Sequence, residues 1–379
     1  MVTDLLIPAD LRKLAPAQAE HEDKLLALPN VVGVALGHKH TEGRDTGTPC
    51  VQVLVDMKMS PDLLQRDEIV PAKIGATPTD VIEVGLVQAG AGAVPTPPRA
   101  RDWVESYGEE RDHLSGREHD PAAAALRAVM STLPHAEQVA ALNSATRAHA
   151  AGAPGICCQD MPQPSERNTG AARRFYVLSN NHVLARCNDA AIGDLIVQPA
   201  PADGGHHPMD AVARLARFVP LKFHRRTAAH DGWAPVNLVD AAIAEGRFYQ
   251  LERGIHWIGE VSESNPTPQI GDILRKSGRA GDYTTAPILG LHATIEVNYP
   301  NGRIARFAKQ IITPGALSPG GDSGAVATDP ARRAVGLLFA TSPQVAVLNP
   351  MPLVEHLLGV RIAGLIGTEQ NGTGSRATR

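Results

Sequence analysis

Short β-branched runs interrupted by Gly and Pro set the pattern of this chain. VVGVAL at 31–36 and VQVLV at 51–55 flank the polar stretch TEGRDTGTP, which predicts two strands and a turn, and DVIEVGLV at 80–87 predicts a third strand. Upstream, Leu11, Leu14, Leu25, Leu26 and Leu28 fall among charges at spacings compatible with helix over 10–28. Residues 1–90 therefore read as a small α/β N-terminal domain. AGAGAVPTPPRA at 89–100 has the composition of an exposed linker. Asp120-Pro121 reads as the N-cap and first position of a helix with Leu126, Val129, Met130 and Leu133 on one face; Pro134 interrupts it, and a second Ala-rich helix leads toward Gly152. Segment 91–154 is thus a linker with a helical insert.

From about 155 to 365 the character changes. FYVL, LIVQ, DAAIA, TIEV, AVAT and AVGLLFA alternate with Gly- and Pro-containing turns, the pattern of an antiparallel barrel or sandwich. The fold class is mainly β. The polar tail 366–379 is expected to be disordered.

Composition narrows the function classes. With 379 residues, 43% hydrophobic and 20% charged, the chain reads as a soluble globular protein. Lys+Arg 36 against Asp+Glu 40 gives a net charge of −4, so no overall positive field favours nucleic acid. MVTDLLIPADLRKL lacks a cationic leader with an apolar run, and no segment approaches a spanning helix, so neither export nor a membrane is expected. Cys50, Cys157, Cys158 and Cys187 form neither a disulfide framework nor a zinc pattern, which favours a reducing, cytoplasmic setting.

Three local signals carry chemistry. The first is Pro319-Gly320-Gly321-Asp322-Ser323-Gly324-Ala325. Glycines around a Ser let the backbone fold tightly, so that the amides of Gly321 and Ser323 can converge on a substrate carbonyl oxygen as an oxyanion hole. Alone, the same residues also suit a polar turn between strands. The second is FYVLSNNHVL, a strand-like run delivering His182 after two small polar residues, as a rigidly held general base requires. A solvent-facing loop His is the plain alternative. The third is NLVDAAIA, in which Asp240 sits inside an apolar run and needs a partner if buried. Asp231 and Asp210, with more polar flanks, rank below it for this role. The order His, Asp, Ser, with separations of 58 and 83 residues, is that of chymotrypsin-type enzymes and not of subtilisins or α/β-hydrolases.

SNNHVLA, QPAPADGG at 198–205, NLVDAAIA, RKSGR at 275–279 and PGGDSGA together resemble the trypsin-like serine peptidases over 155–365. More narrowly, they resemble bacterial relatives of the plant narrow-leaf trypsin-like proteases, to whose small N-terminal domain LPNVVGVALGHK and PTDVIEVG are similar. The resemblance implies two perpendicular six-stranded β-barrels with the active site between them, His182 and Asp240 from the first and Ser323 from the second. It implies Ser323 as nucleophile, His182 as base and then acid, and Asp240 as the orienting carboxylate. It also implies that Leu317, six residues before Ser323, floors the primary specificity pocket, so that apolar or small P1 side chains are preferred over Lys and Arg. The backbone of Ala340, Thr341 and Ser342 is then the edge that pairs with substrate. Unlike in secreted trypsins, no Cys follows His182.

The expected function is that of a serine endopeptidase acting on protein or peptide substrates without cofactor or metal. A homo-oligomer is compatible with the sequence. The alternative is a catalytically silent, protease-like scaffold that binds partner proteins. His206-His207 and His38 with His40 complete no zinc-type ligand set, and no phosphate-loop motif occurs.

Overall fold

The computed structural model of the protein describes residues 7–90, 152–161, 174–200, 206, 208–224, 234–247, 251, 253–318 and 320–364. The helices expected between 120 and 151, Asp231, His207, Pro319 and the tail 366–379 lie outside the described residues. Two helices come first, α1 (Ala9–Arg12) and α2 (Ala15–Leu26). Pro16 sits in the first turn of α2, where the amide it lacks would be unpaired anyway. Leu11, Leu14, Leu25 and Leu26 are buried against the strands that follow.

β1 (Val31–Thr41) and β2 (Arg44–Val55) form a hairpin with Thr41 opposite Arg44. Glu42 and Gly43 both take positive φ, 52° and 76°, as a two-residue turn compatible with strand twist requires. The chain therefore reverses within two residues. Most of the stretch read as a turn is the exposed outer end of β2, its backbone taken up by β1 although its side chains stay in water. β3 (Lys73–Ile74), β4 (Thr77–Glu83) and β5 (Gln88–Ala89) complete this part.

Next come β6 (Cys157–Asp160), β7 (Phe175–Ser179), the short helix α3 (Asn181–Leu184), β8 (Leu195–Val197), β9 (Ala211–Phe218), β10 (Val236–Asn237) and β11 (Ala242–Gly246). Among the described residues, β12 (Gly254–Ile255) and β13 (Gly259–Glu260) pair only with each other. The chain continues through β14 (Ile273–Gly278), β15 (Asp282–Pro287), β16 (Gly290–Tyr299), β17 (Arg303–Pro314), β18 (Val326–Thr328), β19 (Ala334–Thr341) and β20 (Val345–Pro350). It closes with α4 (Met351–Leu358) and β21 (Val360–Ile362).

The described residues form two large sheets. One runs β21-β6-β7-β11-β9-β8, and the other β15-β14-β18-β19-β20-β17-β16-β1-β2-β4-β3, with β10 on β17 and β5 against both β16 and β19. The N-terminal hairpin thus extends the sheet of the C-terminal half through the β1–β16 pair. Gly33 permits that pairing, because a Cβ there would stand 2.7 Å from the Thr294 carbonyl oxygen. Tyr176, Leu178, Ile243 and Val360 of the six-stranded sheet pack with Val326 and Leu337 of the other and with Met351 and Val354 of α4. The candidate residues lie where these two sheets meet.

Candidate functional site

The apolar run FYVLS is β7, and the Asn180–Asn181 pair breaks it, since short amides compete for backbone groups, turning the chain into the single turn α3 that carries His182. β11 pairs with β7, Ala242 opposite Ser179. Asp240, two residues ahead of Ala242, is thereby set beside the start of α3. Its Oδ2 lies 2.6 Å from His182 Nδ1 and its Oδ1 accepts the His182 backbone N–H at 3.1 Å. A carboxylate only accepts, so Nδ1 carries a proton, and the neutral form of the ring is the tautomer with its lone pair on Nε2. Both side chains are almost wholly shielded from water. His182 Nε2 is buried and has no hydrogen-bond partner among the described residues.

Desolvating Asp240 is costly unless its oxygens are satisfied. Tyr299 Oη donates to Oδ2 at 2.6 Å, giving that oxygen a second donor. Burial first, then the charge of Asp240 beside it, push the Tyr299 hydroxyl well above its ordinary pKa, so it stays a proton donor across the neutral range. The backbone is anchored too: the Asp240 N–H donates to Asn349 Oδ1 at 3.1 Å, and its carbonyl accepts from Asn180 Nδ2 at 2.7 Å and Asn349 Nδ2 at 3.2 Å. Tyr299, Asn349 and Asn180 were not among the sequence candidates. Asn180 stands inside the SNNH run, but nothing in the local sequence marks the other two.

Ser323 lies in a loop whose Gly320, Gly321 and Gly324 all take positive φ, of 99°, 84° and 96°. At Gly324 a Cβ would lie 2.1 Å from Ser179 Oγ and 2.3 Å from the Ala153 carbonyl oxygen, so only glycine fits. The loop is tied to β7 in two steps. The Ala153 amide donates to the Ser323 carbonyl at 2.7 Å, and Ser179 Oγ donates to the Ala153 carbonyl at 2.9 Å. The Ser323 carbonyl oxygen and Val183 Cγ2 both stand within 2.7 Å of the point where Gly152 would carry a Cβ. Ser323 and the His182–Val183 turn are therefore neighbours, although no hydrogen bond joins Ser323 Oγ to Nε2. The amides of Gly321 and Ser323 are committed to no acceptor among the described residues.

Asp322 fixes the loop from behind. It forms an ion pair with Lys276 of β14, both side chains at 0% exposure, and its Oδ1 accepts the amides of Ala280 at 2.6 Å and Gly281 at 3.0 Å. Two charges without water need one another, because either alone would be a buried unpaired ion. Lys276 belongs to RKSGR, a run noted in the sequence but given no role there.

The expected substrate-contacting residues are placed as follows. Leu317 is fully buried in the cluster with Ala325, Ala327 and Leu338, and its carbonyl accepts from Thr284 Oγ1 at 2.5 Å. Ala340 and Thr341 pair with Val347 and Ala346 of β20 on one side and with Ala89 and Gln88 of β5 on the other. The Ser342 amide donates to the Val345 carbonyl at 2.8 Å, and its hydroxyl donates to the Val84 carbonyl. Elsewhere, His38 binds Asp45 at 2.9 Å, and no group of three His, Cys, Asp or Glu suited to a metal occurs among the described residues. All four cysteines are buried, and none is in a disulfide.

No protein-family model matches the chain, and no curated protein matches it. Among solved structures it is similar to a glutamic acid specific serine protease that uses a histidine triad in substrate binding (16% identity, TM-score 0.35, 55% of this chain and 98% of that one). It is similar also to Protease A of Thermobifida fusca (12% identity, TM-score 0.36, 55% and 90%) and to the chymotrypsin of Cellulomonas bogoriensis (14% identity, TM-score 0.31, 50% and 85%).

Proposed function

We propose that the protein is a serine endopeptidase, with His182, Asp240 and Ser323 as its triad and two barrels framing the cleft between them. The observation that carries this reading is the buried His182–Asp240 pair. It leaves a proton on Nδ1 and an unpartnered Nε2, on a turn whose Val183 neighbours the glycine-flanked Ser323.

In the proposed reaction Ser323 Oγ attacks the scissile carbonyl carbon while Nε2 takes the hydroxyl proton. Oγ reaches hydrogen-bond distance of Nε2 in the substrate complex, where catalytic hydrogen bonds tighten. The oxyanion that forms is held by the uncommitted amides of Gly321 and Ser323. Collapse expels the amine, which receives the proton from the imidazolium; water then enters by the reverse sequence and releases the acid and Ser323. Asp240 stays ionised throughout and steadies the imidazolium, its position held by Tyr299 and Asn349.

The proposed preference is for apolar or small P1 side chains, since the residue six before Ser323 is Leu317 and offers no counter-charge to Lys or Arg. A peptide-library cleavage profile tests both parts of the reading. Cleavage after apolar or small residues, absent in Ser323→Ala, is expected. A profile dominated by Lys or Arg at P1 overturns the preference, and cleavage that persists undiminished in Ser323→Ala overturns the function.

A further inference from the structure

The strand edge assigned above to substrate is already in use. β5 runs antiparallel to β19 with Ala89 opposite Ala340 and Gln88 opposite Thr341, and parallel to β16 with Gln88 opposite Asn298. Asn298 grips this segment twice, its backbone N–H at 3.0 Å and its Nδ2 at 3.1 Å both donating to the Val87 carbonyl. Ser342 Oγ holds the Val84 carbonyl at its other end.

Over 86–89 side-chain burial alternates as in a strand seated in a groove. Val84, Val87 and Ala89 are buried in a cluster with Phe339, Ala340 and Tyr299, whereas Leu86 is 47% exposed and Gln88 faces solvent. Tyr299 is the residue that donates to Asp240, so the seat of β5 adjoins the proposed catalytic pair. The edge also leads directly to Ser323. Leu338, two residues before Ala340, accepts the Gly324 amide at 2.8 Å and donates to the Ala325 carbonyl at 3.0 Å.

Proteases and many peptide-binding domains take an extended peptide by adding it as a strand to such an edge, main chain to main chain. One edge offers one set of N–H and C=O groups, and along Ala340–Thr341 the set on this side of β19 is taken by β5. We propose that residues 84–90 are an internal occupant of the substrate-binding edge, which holds the protein latent toward extended peptides while leaving Ser323 reactive toward small acylating or phosphonylating reagents. This rests on the serine-peptidase reading. The contact with β19 is only two residues long, so β5 acts as a reversible latch: a peptide that binds the edge must displace it, and its apparent affinity is lowered by the fraction of molecules in which β5 is seated. The latch is built into the chain at the point where it leaves the N-terminal strands.

The test compares two reagents on the full-length protein, a small alkyl fluorophosphonate and a tetrapeptidyl phosphonate with an apolar P1. In an antiparallel pair, alternate residues exchange hydrogen bonds, so replacing both Gln88 and Ala89 by Pro removes whichever amide faces β19. In Gln88→Pro/Ala89→Pro the rate of Ser323 labelling by the peptidyl reagent is expected to rise about tenfold or more, with the small reagent unchanged within about twofold. Equal peptidyl rates in the wild type and the double variant overturn the inference.

Hydrogen exchange on the wild-type protein provides a second reading that does not depend on the variant folding. Peptidyl labelling should strip protection from the amides of Gln88, Ala89 and Asn298, and small-reagent labelling should not. Undiminished protection with the peptidyl group bound overturns the inference. If neither reagent labels Ser323 in a folded protein, the peptidase reading itself falls, and the inference with it.

Discussion

Tyr299→Phe removes one donor from Asp240 Oδ2 and leaves the ring, which contacts His182 edge-on with centroids 6.0 Å apart and stacks near Phe307. The expected result is a loss of turnover on the order of tenfold with the fold intact, the scale of one hydrogen bond to a charged group. Asp240→Asn should cost far more, about 10⁴-fold, because an amide can hold the wrong tautomer of His182. A steady-state comparison of the two checks this ranking, and a larger loss in the Tyr299 variant would contradict it. Behind Ser323, Lys276→Met leaves the Asp322 carboxyl without its counter-charge in a place that water does not reach. Unfolding free energy measured in urea should fall by about 3–5 kcal/mol, and a loss under about 1 kcal/mol would show that the pair carries little. Asp240 could be read from the sequence because it breaks an apolar run with one polar group, and His182 because it follows two small polar residues at the end of another such run. Tyr299 and Asn349 could not, since they reach Asp240 across 59 and 109 positions and only through the sheets.

At the scale of elements, α4 and β21 illustrate how the end of the chain braces the site. Gly359 adopts a left-handed conformation at φ 67°, which ends α4 and turns the chain back so that β21 can pair with β6. Glu355 of α4 secures that return: Oε1 accepts the Ile362 amide at 3.1 Å and Oε2 accepts Ser264 Oγ at 2.7 Å. Burial raises its carboxyl above the ordinary value, the hydrogen bonds offsetting only part of the effect. The folded state thus binds this proton more tightly than the unfolded state. Below the ordinary carboxylate range both states are protonated and nothing is lost. As pH rises through the window between the ordinary and the raised value, stability falls, and it stays reduced above that window. Glu355→Gln keeps an acceptor for Ile362 without the charge, so its melting temperature should exceed that of the wild type at pH 7 and converge with it near pH ~4. Calorimetry at the two pH values checks this, and an equal difference at both would contradict it. β21 has no sequence signature, being three residues long. The outer end of β2 was hidden because Arg44–Pro49 are polar and are strand only by virtue of their partner, whereas the apolar runs of β1, β7, β11 and β19 announced themselves.

For the whole molecule, the pairing of β1 with β16 and the placement of β5 between β16 and β19 join sequence positions that lie more than 200 residues apart. Local hydrophobic pattern carries no trace of such pairing, which is why the strands were legible and their partners were not. The same long-range assembly brings the turn that follows β7, with His182 and its partner Asp240, up to the loop of Ser323 that leads into β18. The central claim is that this assembly activates one serine among all those in the chain. Labelling the folded protein with a fluorophosphonate, followed by mass-spectrometric mapping, measures that claim directly, because an unactivated hydroxyl does not react. Label on Ser323 alone is expected, at a rate that drops by about 10³-fold or more in His182→Ala and is lost in Ser323→Ala. A folded wild-type protein that takes no label at Ser323, or takes it equally well in His182→Ala, contradicts the account.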